Sequence, residues 1–376
     1  MAEGWTHALG RWIDAGLLDE QTAARIRAYE REHTGSTRLR WPIWIALTFG
    51  ALMLCAGVLL FVSAHWDGLS PQARFALVVV LVSGFHIAAA AAGGRFPGMA
   101  TTLHAVGTVS LCAGIFLAGQ IFNLDEHWPG GVMLWALGAA TGWALLRDGP
   151  QMAFTAVLAP AWLTTEYFVA TEPTFSTGDA RVIACGIFLL ALAYMTTSVR
   201  ADHRDLGRRV LLWIGGVSLV PSAVALAAVS GKASIGGPTA AASLPVIGWT
   251  VALGLPLIFA VAVRRAAAWP NALAILWVIV LVTLRPIAGQ VSLYAWWALG
   301  ATALAAWGVD EARGERINMG SAIFAATVLT FYFSEVMDKF GRSASLVGFG
   351  LLFLTGSWAL ERVRRHFVLQ IQGRPA

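Results

Sequence analysis

Ionisable and amide side chains are scarce in this sequence, and any chemistry must come from the few that fall inside or beside its long apolar runs. His65, Gln120, Asn123, Glu166, Arg285, Gln290 and Glu335 each lie near one end of such a run. In an apolar medium an ionisable group pairs with another, lines an aqueous path, or is lost to desolvation. Gathered at neighbouring helix ends, these seven suit a polar vestibule, in which the Arg285 guanidinium offers a fork for a carboxylate such as Glu166 or Glu335. The plainer reading makes them interface residues beside the aromatic belt of Trp66, Trp128 and Tyr167.

His86 and His104 flank a short loop, so their imidazoles can face each other across a helical hairpin. Two His can share a proton or supply two ligands to a metal. No carboxylate or Cys at the same depth completes a shell, so a packed, hydrogen-bonded pair is expected and no metal. Cys55, Cys112 and Cys185 are scattered singly through apolar runs, where each acts as a small hydrophobe. Gly-rich phosphate loops, HExxH, nucleophile elbows and paired aspartates within a run are absent. The expectation is therefore no catalytic residue, no enzymatic activity and no cofactor.

The elements that must carry these residues follow from composition. Of 376 residues 57% are hydrophobic and 12% charged, half the charged share of about 25% usual in soluble domains. Apolar runs recur at 43–64, 74–92, 101–122, 131–146, 150–170, 180–199, 208–230, 244–263, 270–286, 289–308, 317–336 and 343–360. Each approaches the roughly 20 residues that a spanning helix needs, and none alternates with the period of two of a barrel strand. The pattern predicts an all-α fold, a polytopic transmembrane bundle of about twelve spans over residues 41–365, with a tail at 366–376. Pro160, Pro221 and Pro256 fall well inside spans, where each frees a backbone carbonyl, as in the broken helices of transporters and in plain kinks.

Residues 1–40 are organised differently. Trp5, Leu9, Trp12 and Ile13 recur at helical spacing, Gly16 marks a turn, and Asp19 is placed to cap a helix reaching about His33. This predicts a short amphipathic helical hairpin that lies on the membrane, docks on loops, or binds a protein partner.

The stretch WIDAGLLDEQTAARIRAYE, the anchor ending FVSAHWDGLSPQARF, and AGIFLAGQIFNL before DEHWPGG together resemble the bacterial membrane-protein family called domain of unknown function 2157. The closing stretch FYFSEVMDKFGRSASLVGFGLLFLTGSWALERVRR is similar to the last two spans of that family. The resemblance is strongest over about 10–147 and 331–365, and it implies a polytopic inner-membrane protein with a helical N-terminus. Two functions fit this architecture: a transporter or channel-like protein for a small solute or lipid, and a non-catalytic scaffold or envelope-sensing subunit. Nothing points to nucleic acid, and the oligomeric state is left open.

Charge placement sets an orientation. With the N-terminus inside, 20 of the 26 Lys and Arg residues fall in cytoplasmic segments, and the excess recurs loop by loop. This predicts cytoplasmic termini and an inner face suited to anionic lipid headgroups. Reporters fused after Ala376 or within 200–209 should read as cytoplasmic, and one within 230–245 as periplasmic. A periplasmic C-terminus would mean a miscounted span.

Overall fold

The computed structural model describes residues 9, 12–34, 41–65, 68, 70–122, 127–197, 206–230, 243–283 and 291–336, with single helical positions between 348 and 362. Among the described residues the chain is all helix and turn, with no strand. Contacts divide it into two compact units, residues 1–110 and 111–376.

In the first unit the N-terminal helical turn ends at Gly16, whose φ of 67° is the left-handed conformation that glycine adopts most cheaply. Gly16 N–H donates to the Ile13 carbonyl and Leu17 N–H to the Trp12 carbonyl, both at 2.9 Å. This is the Schellman arrangement that closes helix C-termini. Asp19 then accepts from Thr22 N–H at 2.9 Å and starts α1, Glu20–Thr34. The side-chain and backbone hydrogen bonds from Thr22 hold the Asp19 carboxyl below its usual range. The turn at Gly16 and the cap at Asp19 stand where the sequence places them, and Trp5 lies outside the described residues. Helices α2 (Trp41–His65) and α3 (Pro71–Ala92) follow, then α4 (Pro97–Phe122), whose residues up to Ser110 belong to this unit. Ser70 caps α3, with Pro71 at its first turn. Val79, Val80 and Ile87 of α3 are exposed, as suits a lipid-facing helix.

The second unit contains α5 (Trp128–Leu146), α6 (Gly149–Thr171), α7 (Thr177–Met195), α8 (Leu206–Ser230), α9 (Ser243–Arg264), α10 (Trp269–Thr283), α11 (Val291–Asp310) and α12 (Gly314–Phe331), closed by a π turn at Tyr332–Val336. Among the described residues, helices occupy eleven of the twelve expected apolar segments, and most of the last, 343–360, lies outside the described residues. Among the described residues, seven helical stretches are long and apolar enough to cross a membrane. One of them, Ser243–Thr283, is 41 residues long, about 60 Å if straight and so twice the hydrocarbon thickness. Arg265 breaks it with a φ of 54°, which separates α9 from α10.

Helix α7 is the centre of this unit. Its Cys185, Leu189 and Met195 are buried, and Phe188 and Leu192 pack with Leu219 of α8, Val278 and Leu281 of α10, and Leu304 of α11. The start of α7 is fixed by a capping box in which Ser176 and Asp179 each satisfy the other's backbone N–H. In lipid no hydrophobic force draws helices together, so close packing depends on small residues. At Gly320 of α12 an added Cβ would come within 2.7 Å of the Ala301 carbonyl and Ala305 nitrogen of α11. At Gly215 of α8 it would run into the Met195 nitrogen and Ala191 carbonyl of α7, backbone that cannot swing aside. At the neighbouring Gly216 it would meet nothing within 4 Å. Gly215→Ala should therefore lower stability in detergent by about 1–3 kcal/mol, as overpacking does, while Gly216→Ala leaves the melting temperature unchanged or slightly raised. Equal effects would show that α7 and α8 do not meet at Gly215.

Candidate functional site

Two prolines expected to break helices lie on one cleft. Pro160 of α6 and Pro256 of α9 both line a space of about 270 Å³ between α6, α7 and α9, with Leu163, Ile187 and Leu255 among its apolar walls. Its polar residues sit toward the C-terminal end of α6, where Thr164, Glu166 and Tyr167 join the lining. Tyr167 is held in place from two sides. Its ring lies against Gly248, where a Cβ would collide with it, and its hydroxyl donates to Asp179 Oδ1 at 2.7 Å. The other Asp179 oxygen accepts from the Ser176 N–H and hydroxyl at 2.9 and 2.6 Å.

Glu166 is paired, and the partner is His127 at the start of α5, whose Nε2 lies 2.9 Å from Oε1 and 3.1 Å from Oε2. Both side chains are about half exposed, so the pair contributes little to stability and leaves the carboxylate accessible. Arg285, the partner expected from the sequence, lies outside the described residues, as do Asn123 and Gln290. His65 closes α2 and Gln120 sits near the end of α4, positions where the helix backbone alone is described. Glu335 is half-buried in the π turn after α12.

The expected His pair forms inside the first unit. The Nδ1 atoms of His86 on α3 and His104 on α4 stand 2.8 Å apart, with ring centroids at 5.1 Å. Gly107 makes the room, because a Cβ there would come within 2.8 Å of His86 Nε2. A direct Nδ1–Nδ1 hydrogen bond needs one Nδ1 protonated and the other bare, so the pair holds one proton between them. Among the described residues no group of three or more His, Cys, Asp or Glu is placed to hold a metal.

Residues 10–152 match the family of predicted membrane proteins named domain of unknown function 2157. No curated protein and no solved structure matches the chain. The domain of unknown function 2157 match covers the N-terminal hairpin, the His pair and His127, and it ends at the start of α6, short of the closing stretch 331–365. The cleft, and the ionic cluster described next, depend on residues beyond it.

That cluster was not anticipated from the sequence. In the turn between α11 and α12, Glu311 receives Arg264 from the end of α9 and Arg316 from the start of α12, the latter at 2.5 Å. Trp307 donates its indole N–H to the same carboxylate at 2.6 Å. The guanidinium carbons of Arg264 and Arg316 lie 5.1 and 4.9 Å from the Trp307 ring centroid, within cation–π range. Both arginines also donate to the Thr196 carbonyl at the C-terminus of α7, Arg316 at 3.3 Å. Asn271 of α10 donates to the Thr196 hydroxyl at 3.1 Å. Both arginine side chains are fully buried and Glu311 nearly so. A signal was available at the i, i+4 spacing of Trp307 and Glu311, but the arginines were counted as loop charges.

Burial raises the Glu311 pKa, and the hydrogen bonds from Trp307 and Arg316, with the Arg316 charge and the Arg264 bond, more than offset it, so the carboxyl sits below its ordinary 4.5. A depressed carboxyl contributes stability that is present above the unfolded value and lost as pH falls through the folded one. The wild-type melting temperature in detergent should therefore drop as pH is lowered below about 4.5. Glu311→Gln leaves two buried cations uncompensated, a loss of roughly 3–5 kcal/mol at neutral pH, and should remove this component of the acid sensitivity. An unchanged acid profile in the variant would show that Glu311 does not carry it.

Proposed function

We propose that this chain is a multi-pass protein of the bacterial inner membrane, with about twelve spans and cytoplasmic termini, that binds and moves a small lipid-like amphiphile. The observation that carries the reading is the α6/α7/α9 cleft, which combines apolar walls, two interior prolines and polar groups confined to one end. Such walls disfavour a strongly hydrated ion, whose desolvation they cannot offset. They accommodate a hydrocarbon portion, while the Glu166 carboxylate and Tyr167 hydroxyl are placed to meet a hydroxyl or amine on the polar portion. Pro160 and Pro256 weaken the backbone ladder where α6 and α9 flank the cleft, which lets those helices bend around an occupant. Neither catalysis nor a cofactor enters this reading.

A second reading, a non-catalytic scaffold or envelope sensor, is favoured by the ionic cluster that ties five helix ends together and by the N-terminal hairpin, which offers a surface for a protein partner.

The readings separate in proteoliposomes containing a photoactivatable lipid and a fluorescent lipid confined to one leaflet. Transfer requires crosslinks to cleft residues and accelerated leaflet exchange, both reduced at least about tenfold, or 1.4 kcal/mol, by Ile247→Trp, a bulky replacement at an exposed position of the cleft wall. Crosslinking without exchange would favour the scaffold. Equal crosslinking in wild type and variant would dismiss the cleft as a site.

A further inference from the structure

A second cavity lies in the same unit. Helices α10 and α11 are pinned together by two tryptophans that exchange hydrogen bonds, each indole N–H donating to the other's carbonyl: Trp277 to Trp296 at 3.1 Å and Trp296 to Trp277 at 3.0 Å. Their rings stack within 5° of parallel. From this clasp a groove of about 520 Å³ runs between the two helices toward Trp269, Trp307 and Asp310. Its floor comes from Phe188 and Leu192 of the central helix. From Trp297 to Asp310 the α11 wall covers fourteen residues, about 20 Å and so more than half the roughly 30 Å hydrocarbon thickness.

The groove ends beside a basic part of this unit. Trp307 is the partition, because its ring lines the groove and also lies against Arg264 and Arg316. At the same end Thr197 of α7 donates its hydroxyl to the Arg208 carbonyl at the start of α8. The backbone of Arg208 and the residues Arg264, Arg265, Arg313 and Arg316 therefore share this end with Glu311, Glu315 and Asp310, the last of which lines the groove. Arg265 is exposed, and one turn later Trp269 is 64% exposed, a donor at the groove mouth.

We infer that the α10/α11 groove is a binding site for one acyl chain of an anionic phospholipid, whose headgroup phosphate is met by Arg265 and the Trp269 indole N–H. The apolar walls are long enough for a chain that crosses one leaflet, and the surplus of arginine over carboxylate selects the headgroup charge. A tryptophan at the mouth has the amphipathic ring that settles at headgroup level. Glu311 keeps Arg264 and Arg316 engaged behind Trp307, so the headgroup is recognised by the outer residues while the inner pair shapes the wall. This site is separate from the α6/α7/α9 cleft and stands or falls independently of it.

The test uses the full chain in detergent with phosphatidylglycerol or phosphatidylcholine added, reading bound lipid by native mass spectrometry and stability by thermal unfolding. Wild type should retain phosphatidylglycerol over phosphatidylcholine by about tenfold or more and melt at a higher temperature with it. Ala303→Phe, an exposed position on the groove wall, should lose both effects. Arg265→Glu should keep chain binding but bring the lipid preference close to one. If Ala303→Phe does not fold, Ala306→Leu, exposed on the same wall, makes the same test. Ile247→Trp, in the other cleft, should change nothing here. Equal retention of the two lipids by wild type would overturn the inference, as would undiminished retention in the filled-groove variant. A changed oligomeric state in that variant, without loss of lipid, would assign the groove to a second copy of the chain and overturn it as well.

Discussion

A carboxylate buried among helix ends has to be neutralised, and Glu311 meets that requirement with one arginine 47 residues before it and another five residues after it. Arg264 arrives from α9 and Arg316 from α12, and both continue past the carboxylate to the Thr196 carbonyl that terminates α7. The last carbonyls of a helix carry partial negative charge and lack intrahelical partners, so two guanidinium groups satisfy them while they neutralise Glu311. Remove the carboxylate and two cations share one carbonyl in a medium that screens poorly. One electrostatic condition thus places the ends of α7, α9, α11 and α12 at one face. The amide of Asn271 adds the start of α10 through the Thr196 hydroxyl.

The opposite ends of these helices are joined by hydrogen bonds of single charged or neutral groups and by a half-exposed ion pair. Tyr167 reaches Asp179, Arg181 donates to the Val229 carbonyl at 3.0 Å, and the Tyr294 and Ser334 hydroxyls lie 2.7 Å apart. The half-exposed His127–Glu166 pair belongs to this side too. One end of the unit is therefore held by a buried ionic cluster and the other by hydrogen bonds, among them those of the buried Asp179. The polar residues of the proline-lined cleft lie at this second end.

Much of the helix pattern was readable because apolar runs, capping residues and Gly16 act over a few neighbours. Asp19 and the turn before α1 are such cases, and so is the His86–His104 pair, since a short loop leaves little choice of partner. Pro160 and Pro256 were readable as breaks, but their placement on one cleft depends on α9 packing beside α6, which no local pattern encodes. The ionic cluster was hidden for a related reason. Arg264, Arg313 and Arg316 carry the same loop-charge signature as any cytoplasmic arginine, and burial is decided by helices 47 or more residues away, such as the separation of Arg264 from Glu311. Glu166 shows the limit from the other side: the need for a partner followed from its position, whereas His127 as that partner required the packing of α5 on α6.

Both cavities persist for a reason particular to their solvent. In water an apolar gap of this size forfeits dispersion contacts, and the surrounding chain is driven to close it. In a bilayer a gap open to lipid is filled by hydrocarbon, so no hydrophobic force acts to shut it and packing is left to small residues and interhelical hydrogen bonds. The Trp277–Trp296 clasp and the Tyr167–Gly248 contact are such local fastenings, and the walls between them are free to stay apart. The two spaces then differ by what lies at their ends. The α10/α11 groove finishes at Asp310 with the arginines of the ionic cluster behind Trp307, whereas the α6/α7/α9 cleft finishes at a carboxylate and a hydroxyl. One bundle thereby presents two hydrocarbon-sized spaces whose polar ends differ, an asymmetry that a protein handling amphiphiles can use and that a uniformly packed scaffold has no need to maintain.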